Sequence, residues 1–109
     1  FVEQAPVVIV CCSIKCSSGY EPWQDDAGWR DTVISVDHLI LAARNEGLGT
    51  CWVGAFHEKA VKEIVKVPGD VRVAMVVPIG YPALKTAFRE TKERKSLKEI
   101  CFVEGYGRC

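Results

Sequence analysis

Glu46-Gly47-Leu48-Gly49-Thr50-Cys51-Trp52-Val53-Gly54-Ala55-Phe56 joins a helix to a strand and the strand to a turn. Before it, Val33, Val36, Ile40 and Ala43 recur at helical spacing. Gly47 then stops the helix in the left-handed conformation that glycine takes without a Cβ penalty, and Leu48 is placed to fold back on the last turn. Thr50 to Val53 reads as a short strand. Gly54-Ala55 follows as a turn that exposes backbone, and a second helix opens after it. Phe56 and Val61 have the spacing of a hydrophobic staple around His57.

The first helix is expected to start at an Asp31 N-cap. Ile34 and Leu41 widen its apolar surface beyond one face, so burial is expected, with part of it at a subunit interface. His38 stands alone on this helix and reads as structural. Further upstream, Ala5-Pro6-Val7-Val8-Ile9-Val10-Cys11-Cys12 is a β-branched run without polar alternation, the pattern of a central strand covered on both faces. Ser13 to Arg30 lacks periodicity and reads as a long loop. Its Tyr20, Trp23 and Trp29 either pack on the domain or border a planar ligand.

Downstream, Val61, Ile64 and Val65 are expected to form the buried stripe of the second helix, which Pro68-Gly69 ends. Lys59, Lys62, Glu63 and Lys66 face water. Val71 to Ile79 is the longest strand signal, apolar on both faces after Arg72, with Pro78 marking its end. Ala83 to Lys95 is charged and irregular, the pattern of solvated surface. Ser96-Leu97-Lys98-Glu99 matches a capping box that opens a short helix through Ile100. Strands separated by helices indicate an α+β or α/β domain with a helix-flanked sheet.

At 109 residues the chain makes one domain, residues 1–109. Lys plus Arg and Asp plus Glu are 14 each, which argues against nucleic-acid binding through a general basic field. No apolar run approaches the roughly 20 residues of a membrane span. Of the six cysteines, Cys11, Cys12 and Cys51 sit in runs that read as buried strand, and no CxxC pair supports a zinc site. Reduced thiols in a cytoplasmic protein are expected. Cys51 reads as a buried filler. The chain opens on Phe1, and material upstream of it is expected.

From Gly47 to Phe56 the sequence resembles the nitroreductase family of FMN-dependent oxidoreductases. Ala5 to Val10 is similar to that family's first core strand, and Asp31 with Leu39-Ile40-Leu41-Ala42-Ala43 to its long dimer helix. Val77-Pro78-Ile79-Gly80-Tyr81-Pro82 resembles the strand leading to the flavin phosphate, and Lys92-Glu93-Arg94 its late basic pair. The resemblance covers most of the chain in the family's order. It departs in two places. Gly54-Ala55 stands where the best-known branch has a Glu-Gly pair, and His38 where many relatives have Asn. Nothing matches the Arg/Ser-rich helical region with which relatives begin. The resemblance therefore implies a three-layer α/β/α arrangement of α+β class whose N-terminal helical part lies outside this sequence.

The resemblance further implies FMN as cofactor and NAD(P)H as electron donor. Reducing equivalents pass to a nitro, quinone or similar small-molecule acceptor. The flavin lies at the interface of a homodimer, so the isolated 109-residue chain is expected to be inactive and to bind FMN weakly; without upstream helices to cover the other side of the Val7–Cys12 strand, it is also expected to be poorly soluble or partly folded. Val53, Gly54 and Ala55 are the expected contacts to the flavin ring, through backbone donors near N5 and O4. Lys92 and Arg94 are the expected phosphate ligands, and Lys95 is a weaker candidate. No side chain of this segment is expected to act as nucleophile or acid–base catalyst. Two alternatives stand beside this reading. One is an FMN-binding relative with different chemistry, reductive dehalogenation or flavin fragmentation. The other is a non-enzymatic cysteine-rich metal or interaction module.

Overall fold

The structure, a computed structural model, describes residues 1–16, 27–88 and 92–107. Strand β1 (Val7–Ser13) precedes helix α1 (Ala27–Asn45) and the two-residue strand β2 (Gly49–Thr50). Helix α2 (Glu58–Val65) and strand β3 (Arg72–Gly80) follow, then a 3-10 turn (Lys85–Phe88) and helix α3 (Leu97–Ile100). The three strands form an antiparallel sheet in the order β1-β3-β2. An antiparallel sheet with separate helices is an α+β arrangement.

β3 is the middle strand, buried from Val73 to Pro78, as its unbroken apolar run predicts. Pro78 does not end it; the strand runs on to Gly80. The position of this proline explains why β2 is so short. Thr50 pairs with Ile79 and Val53 bridges to Val76, a register that places Cys51 opposite Pro78. The N–H and carbonyl of Val76 both bond Val53, so the backbone nitrogen of Pro78, two residues on, faces the same neighbour. A proline has no N–H to give there. The ladder breaks, and the expected Thr50–Val53 strand is reduced to Gly49–Thr50 plus a single bridge at Val53.

β1 corrects the sequence reading more strongly. It lies at the sheet edge among the described residues, pairing with β3 from Val7↔Ile79 to Ser13↔Arg72. Cys11 and Ser13 are buried, Ile9 is half-buried, and Val7, Val8 and Cys12 are exposed. A β-branched run reports compatibility with burial, not the presence of a cover. Among the described residues α1 covers one face only. The register shifts between Cys11 and Cys12, so that Ala74 is the extra residue on β3.

Cys11, Val36, Ala74, Met75 and Val77 form the core cluster, with Ile9, Trp29, Val33, Leu39 and Ile40 packed against it. Helix α1 starts at Ala27, earlier than the expected Asp31 cap. Tertiary packing accounts for the difference. Trp29 packs on the core, and its ring lies 4.3 Å beneath the Arg72 guanidinium. A side chain at Gly28 would run into the carbonyl of Ile14, so glycine lets the helix start press against the end of β1. The packing reading of Trp29 therefore holds; Tyr20 and Trp23 lie outside the described residues. At its other end α1 closes as expected. Gly47 has φ +75°, Leu48 N–H donates to Ala43 O at 2.9 Å and Gly47 N–H to Arg44 O at 3.1 Å, the paired bonds of a Schellman motif.

Helix α2 buries none of its residues completely. Val61 is half-buried, but Ile64 and Val65 are exposed, against the expected stripe. Its C-cap is Lys66 in the left-handed conformation, and Val67 N–H donates to Lys62 O. What ties α2 to the sheet is Glu58, whose carboxylate accepts the Val73 N–H at 2.9 Å and pairs with Lys62 at 3.3 Å. These contacts, the Val73 hydrogen bond above all, hold the Glu58 carboxyl below its ordinary value of 4.5. A depressed value means that the Glu58 contribution is complete above 4.5 and is lost as pH falls through the lower folded value. Thermal unfolding over an acidic pH series should show this loss of stability, and Glu58→Gln should flatten part of it.

Candidate functional site

The candidate residues lie on two chain segments, one that follows α1 and one that follows β3. One runs from the Schellman turn through β2 to Val53, whose N–H donates to Val76 O and whose carbonyl accepts from Val76 N–H, at 3.0 and 3.1 Å. These two bonds fix the backbone immediately before Gly54. Gly54 and Ala55 follow and are exposed. Among the described residues neither amide nitrogen has a hydrogen-bond partner. A methyl group on Gly54 would meet no heavy atom within 4 Å. The expected turn at Gly54-Ala55 is instead irregular chain that bends at Phe56, and it leaves both backbone donors exposed. Behind it, half-buried Phe56 and Val61 occupy the staple positions on either side of the α2 start.

The second segment carries Lys92 and Arg94. Both are exposed in irregular chain between the 3-10 turn and α3, as is Lys95. The start of this segment is fastened by a contact that the sequence reading missed. The Arg44 guanidinium, in the last turn of α1, lies 3.6 Å from the centroid of the Phe88 ring. Such a cation–π contact contributes about 0.5–1 kcal/mol at an exposed site. Its far end is fastened by the expected capping box, in which the Glu99 carboxylate accepts both the Ser96 N–H and its hydroxyl at 2.8 Å. Those two bonds hold the Glu99 carboxyl below its ordinary range. Among the described residues no hydrogen bond or ion pair joins Lys92 or Arg94 to another group, and none links them to Gly54 or Ala55.

Glu58 and Phe88 are the supporting residues that pattern alone did not single out. An acidic residue in the first turn of a helix was a usable signal for Glu58, since it suits the helix dipole. No local signal marked Phe88. Cys51, read as buried filler, is exposed beside the ladder break, with its thiol 3.7 Å from the Trp52 carbonyl. Cys12 is likewise exposed, and only Cys11 of the three is buried. His38 is exposed on α1. Among the described residues no group of three His, Cys, Asp or Glu side chains is arranged to hold a metal ion. No helix among them is long and apolar enough to cross a membrane.

Residues 1–81 match the profile of the nitroreductase family. A protein of Archaeoglobus fulgidus, provisionally named NADH dehydrogenase/NAD(P)H nitroreductase, is 30% identical over 92 residues, which are 80% of this chain and 50% of that protein. An iodotyrosine deiodinase of Thermotoga neapolitana is 27% identical over 82 residues, 75% of this chain and 40% of that one. Among solved structures, a nitroreductase family protein of Clostridium difficile superimposes with a TM-score of 0.79 at 26% identity, over 95% of this chain and 62% of that one. The chain spans half the length or less of these two curated relatives. The match runs through β1, α1, the Gly47–Ala55 segment and β3, and it ends before Lys92 and Arg94. The chain belongs to the nitroreductase family.

Proposed function

We propose that this protein is an FMN-dependent oxidoreductase that passes reducing equivalents from NAD(P)H to a nitro, quinone or similar acceptor. The observation that carries this reading is the exposed Gly54-Ala55 stretch, two adjacent unpartnered backbone donors that directly follow the Val53–Val76 bonds, with open space beside Gly54. That geometry fits the edge of a planar ring that gains negative charge on reduction. FMN, when bound, supplies the redox chemistry.

The chain's own residues position and polarise. Gly54 and Ala55 N–H groups orient the ring edge and stabilise charge that develops there, and the absence of a side chain on Gly54 permits close approach. Lys92 and Arg94, two residues apart, project to one side where the chain is extended, and suit a phosphate as a point charge and a planar fork. Val53 sets the height of this stretch through its two bonds to β3. No side chain here is given an acid–base role.

The same reading includes a homodimer with the flavin between subunits. Ile34 and Leu41, seven residues apart on α1, are 55% and 60% exposed, an apolar stripe turned away from the core. In this reading the stripe meets the partner, and the third layer of the α/β/α arrangement is completed in the whole protein. The isolated 109-residue chain would then lack the complete site and bind FMN weakly. The free thiols of Cys11, Cys12, Cys16, Cys51 and Cys101 suit a cytoplasmic location. A second reading, reductive dehalogenation on the same cofactor, draws support from the iodotyrosine deiodinase relative.

The protein expressed from its complete reading frame should copurify with one FMN per subunit, identified by mass after release. FAD, haem or no chromophore after reconstitution would refute the reading. Turnover of a nitroaromatic against an iodinated phenol, with NAD(P)H or a chemical reductant, separates the two chemistries.

A further inference from the structure

Val53 and Glu58 grip the same strand from the two ends of a short stretch. Val53 exchanges both its backbone hydrogen bonds with Val76, and the Glu58 carboxylate accepts the Val73 N–H at 2.9 Å. Gly54, Ala55, Phe56 and His57 span the gap. Three residues of β3 put the two grips at most about 10 Å apart. Five residues of chain reach about 17 Å when extended. The stretch therefore has slack, and it bends at Phe56. Bonded only at Val53, it would pivot there; bonded at both ends, it is a closed bracket.

The sheet makes the second grip available. In a regular strand, N–H groups three residues apart leave opposite edges, so the Val73 N–H would face β1 while that of Val76 faces Val53. The extra residue Ala74 breaks this alternation, and Val73 instead donates to Glu58 of α2. The carboxylate is ionised at neutral pH, held below its ordinary range first by the Val73 bond and then by Lys62 and Arg72. A charge-assisted bond of this kind is stronger than a neutral one. The Glu58–Lys62 pair adds little, because both side chains are partly exposed. Among the described residues no other α2 side chain hydrogen-bonds to the sheet.

We propose that Glu58 is a positioning residue for the cofactor, fixing the Gly54 and Ala55 N–H groups as donors through its bond to Val73 and thereby favouring the reduced flavin. This role rests on the FMN reading. Donors held in place before charge develops need no reorganisation when it does. Loosened donors lose most against the form that carries most charge. Without the Glu58 bond, the reduced ring therefore loses more affinity than the oxidised ring. That difference separates positioning from mere support. A protein that is only less stable binds both forms more weakly by the same factor, and its midpoint potential stays where it was.

The complete protein loaded with FMN is compared with Glu58→Ala, Glu58→Gln and a charge control, Glu63→Ala, at an exposed position of α2. Fluorescence titration reads the Kd of oxidised FMN, and equilibration with a reference dye reads the two-electron midpoint. Glu58→Ala should raise that Kd and weaken reduced FMN by a further factor of about ten, so that the midpoint falls by about 30 mV. Glu58→Gln keeps an oxygen that can accept the Val73 N–H and should lie closer to the parent than to alanine. Glu63→Ala should match the parent. Where the alanine variant does not fold, Glu58→Asp, one methylene shorter in reach, takes its place and should shift the midpoint in the same direction. In flavin-free protein, nitrogen relaxation should show the Gly54 and Ala55 amides more mobile in Glu58→Ala than in the parent. The role is overturned if folded Glu58→Ala keeps the parent's midpoint, or if Glu63→Ala shifts it equally. It is also overturned if Glu58→Gln falls as far as alanine, which would make charge and not the hydrogen bond the cause. A parent that holds no FMN sinks the flavin reading instead. The flavin-free relaxation then still decides whether Glu58 fixes the two amides, and equal mobility overturns it.

Discussion

Replacing Arg94 with alanine is expected to weaken FMN binding by about 1.5–3 kcal/mol, the range for a hydrogen bond to a charged group. At about 1.4 kcal/mol per decade, that is roughly a ten- to hundredfold rise in Kd. Arg94 and Lys92 are exposed and unpartnered among the described residues, so no internal contact is lost with the side chain and the effect should appear in binding. Arg94→Lys keeps the charge but not the planar fork, and should fall between the two. Lys59→Ala, on the exposed side of α2, serves as the charge control and should bind like the parent. Fluorescence titration of the apoprotein of the complete chain reads all three. If Arg94→Ala and Lys92→Ala both titrate like the parent, the phosphate lies elsewhere.

The parts of the fold that local chemistry determines were legible in the sequence. Gly47 with Leu48 produced the Schellman turn, and Ser96 with Glu99 the capping box, because each is complete within a few residues. β3 was legible as the central strand because its apolar run is long and uninterrupted on both faces. The misreadings share one cause, a tertiary partner that local pattern does not carry. β1 has a central-strand sequence but, among the described residues, one strand neighbour and one helical cover. Helix α1 begins four residues early because Trp29 gains the core and an Arg72 contact, which outweigh the Asp31 cap. Pro78 was read as a stop signal. Its effect falls instead on the neighbouring strand, where the missing donor faces Cys51 and cuts β2 short.

The site divides in the same way. Glycine after a strand, together with the family resemblance, led to the expectation of a turn at Gly54-Ala55; the structure leaves the pair exposed beyond the Val53 bridge, in irregular chain that bends only at Phe56. Lys92 and Arg94 are singled out only by resemblance, since a run of seven charges between Lys85 and Lys95 is ordinarily solvated surface. What positions that run, the Arg44–Phe88 contact, joins residues 44 positions apart and has no local pattern. The two segments share α1 as their support. Its Schellman turn aims β2 toward Gly54, and Arg44 in its last turn holds the 3-10 turn ahead of Lys92.

Gly54→Pro tests the Gly54-Ala55 stretch most directly. The substitution removes the Gly54 N–H, a proposed donor to the ring. It also restricts the preceding residue to extended conformations. Val53 already occupies a β-bridge, and its own two hydrogen bonds to Val76 use neither atom that the proline alters at position 54. The fold should therefore survive while the donor is lost. Gly54→Ala is the complementary change: it keeps the N–H and adds a methyl to a space with no heavy atom within 4 Å, so only close approach by a ligand is obstructed. In FMN-loaded Gly54→Pro, stopped-flow reduction by NAD(P)H should slow by roughly ten- to hundredfold, corresponding to about 1.5–3 kcal/mol for a lost hydrogen bond to developing charge. Gly54→Ala should weaken FMN binding. Once it is loaded, the rate should fall less than in the proline variant, because the donor is still present. Circular dichroism matching the parent would exclude misfolding as the cause in either variant. An unchanged reduction rate in folded, loaded Gly54→Pro would show that the ring edge takes its hydrogen bond from another group, and the assignment of Gly54 as a donor would fall.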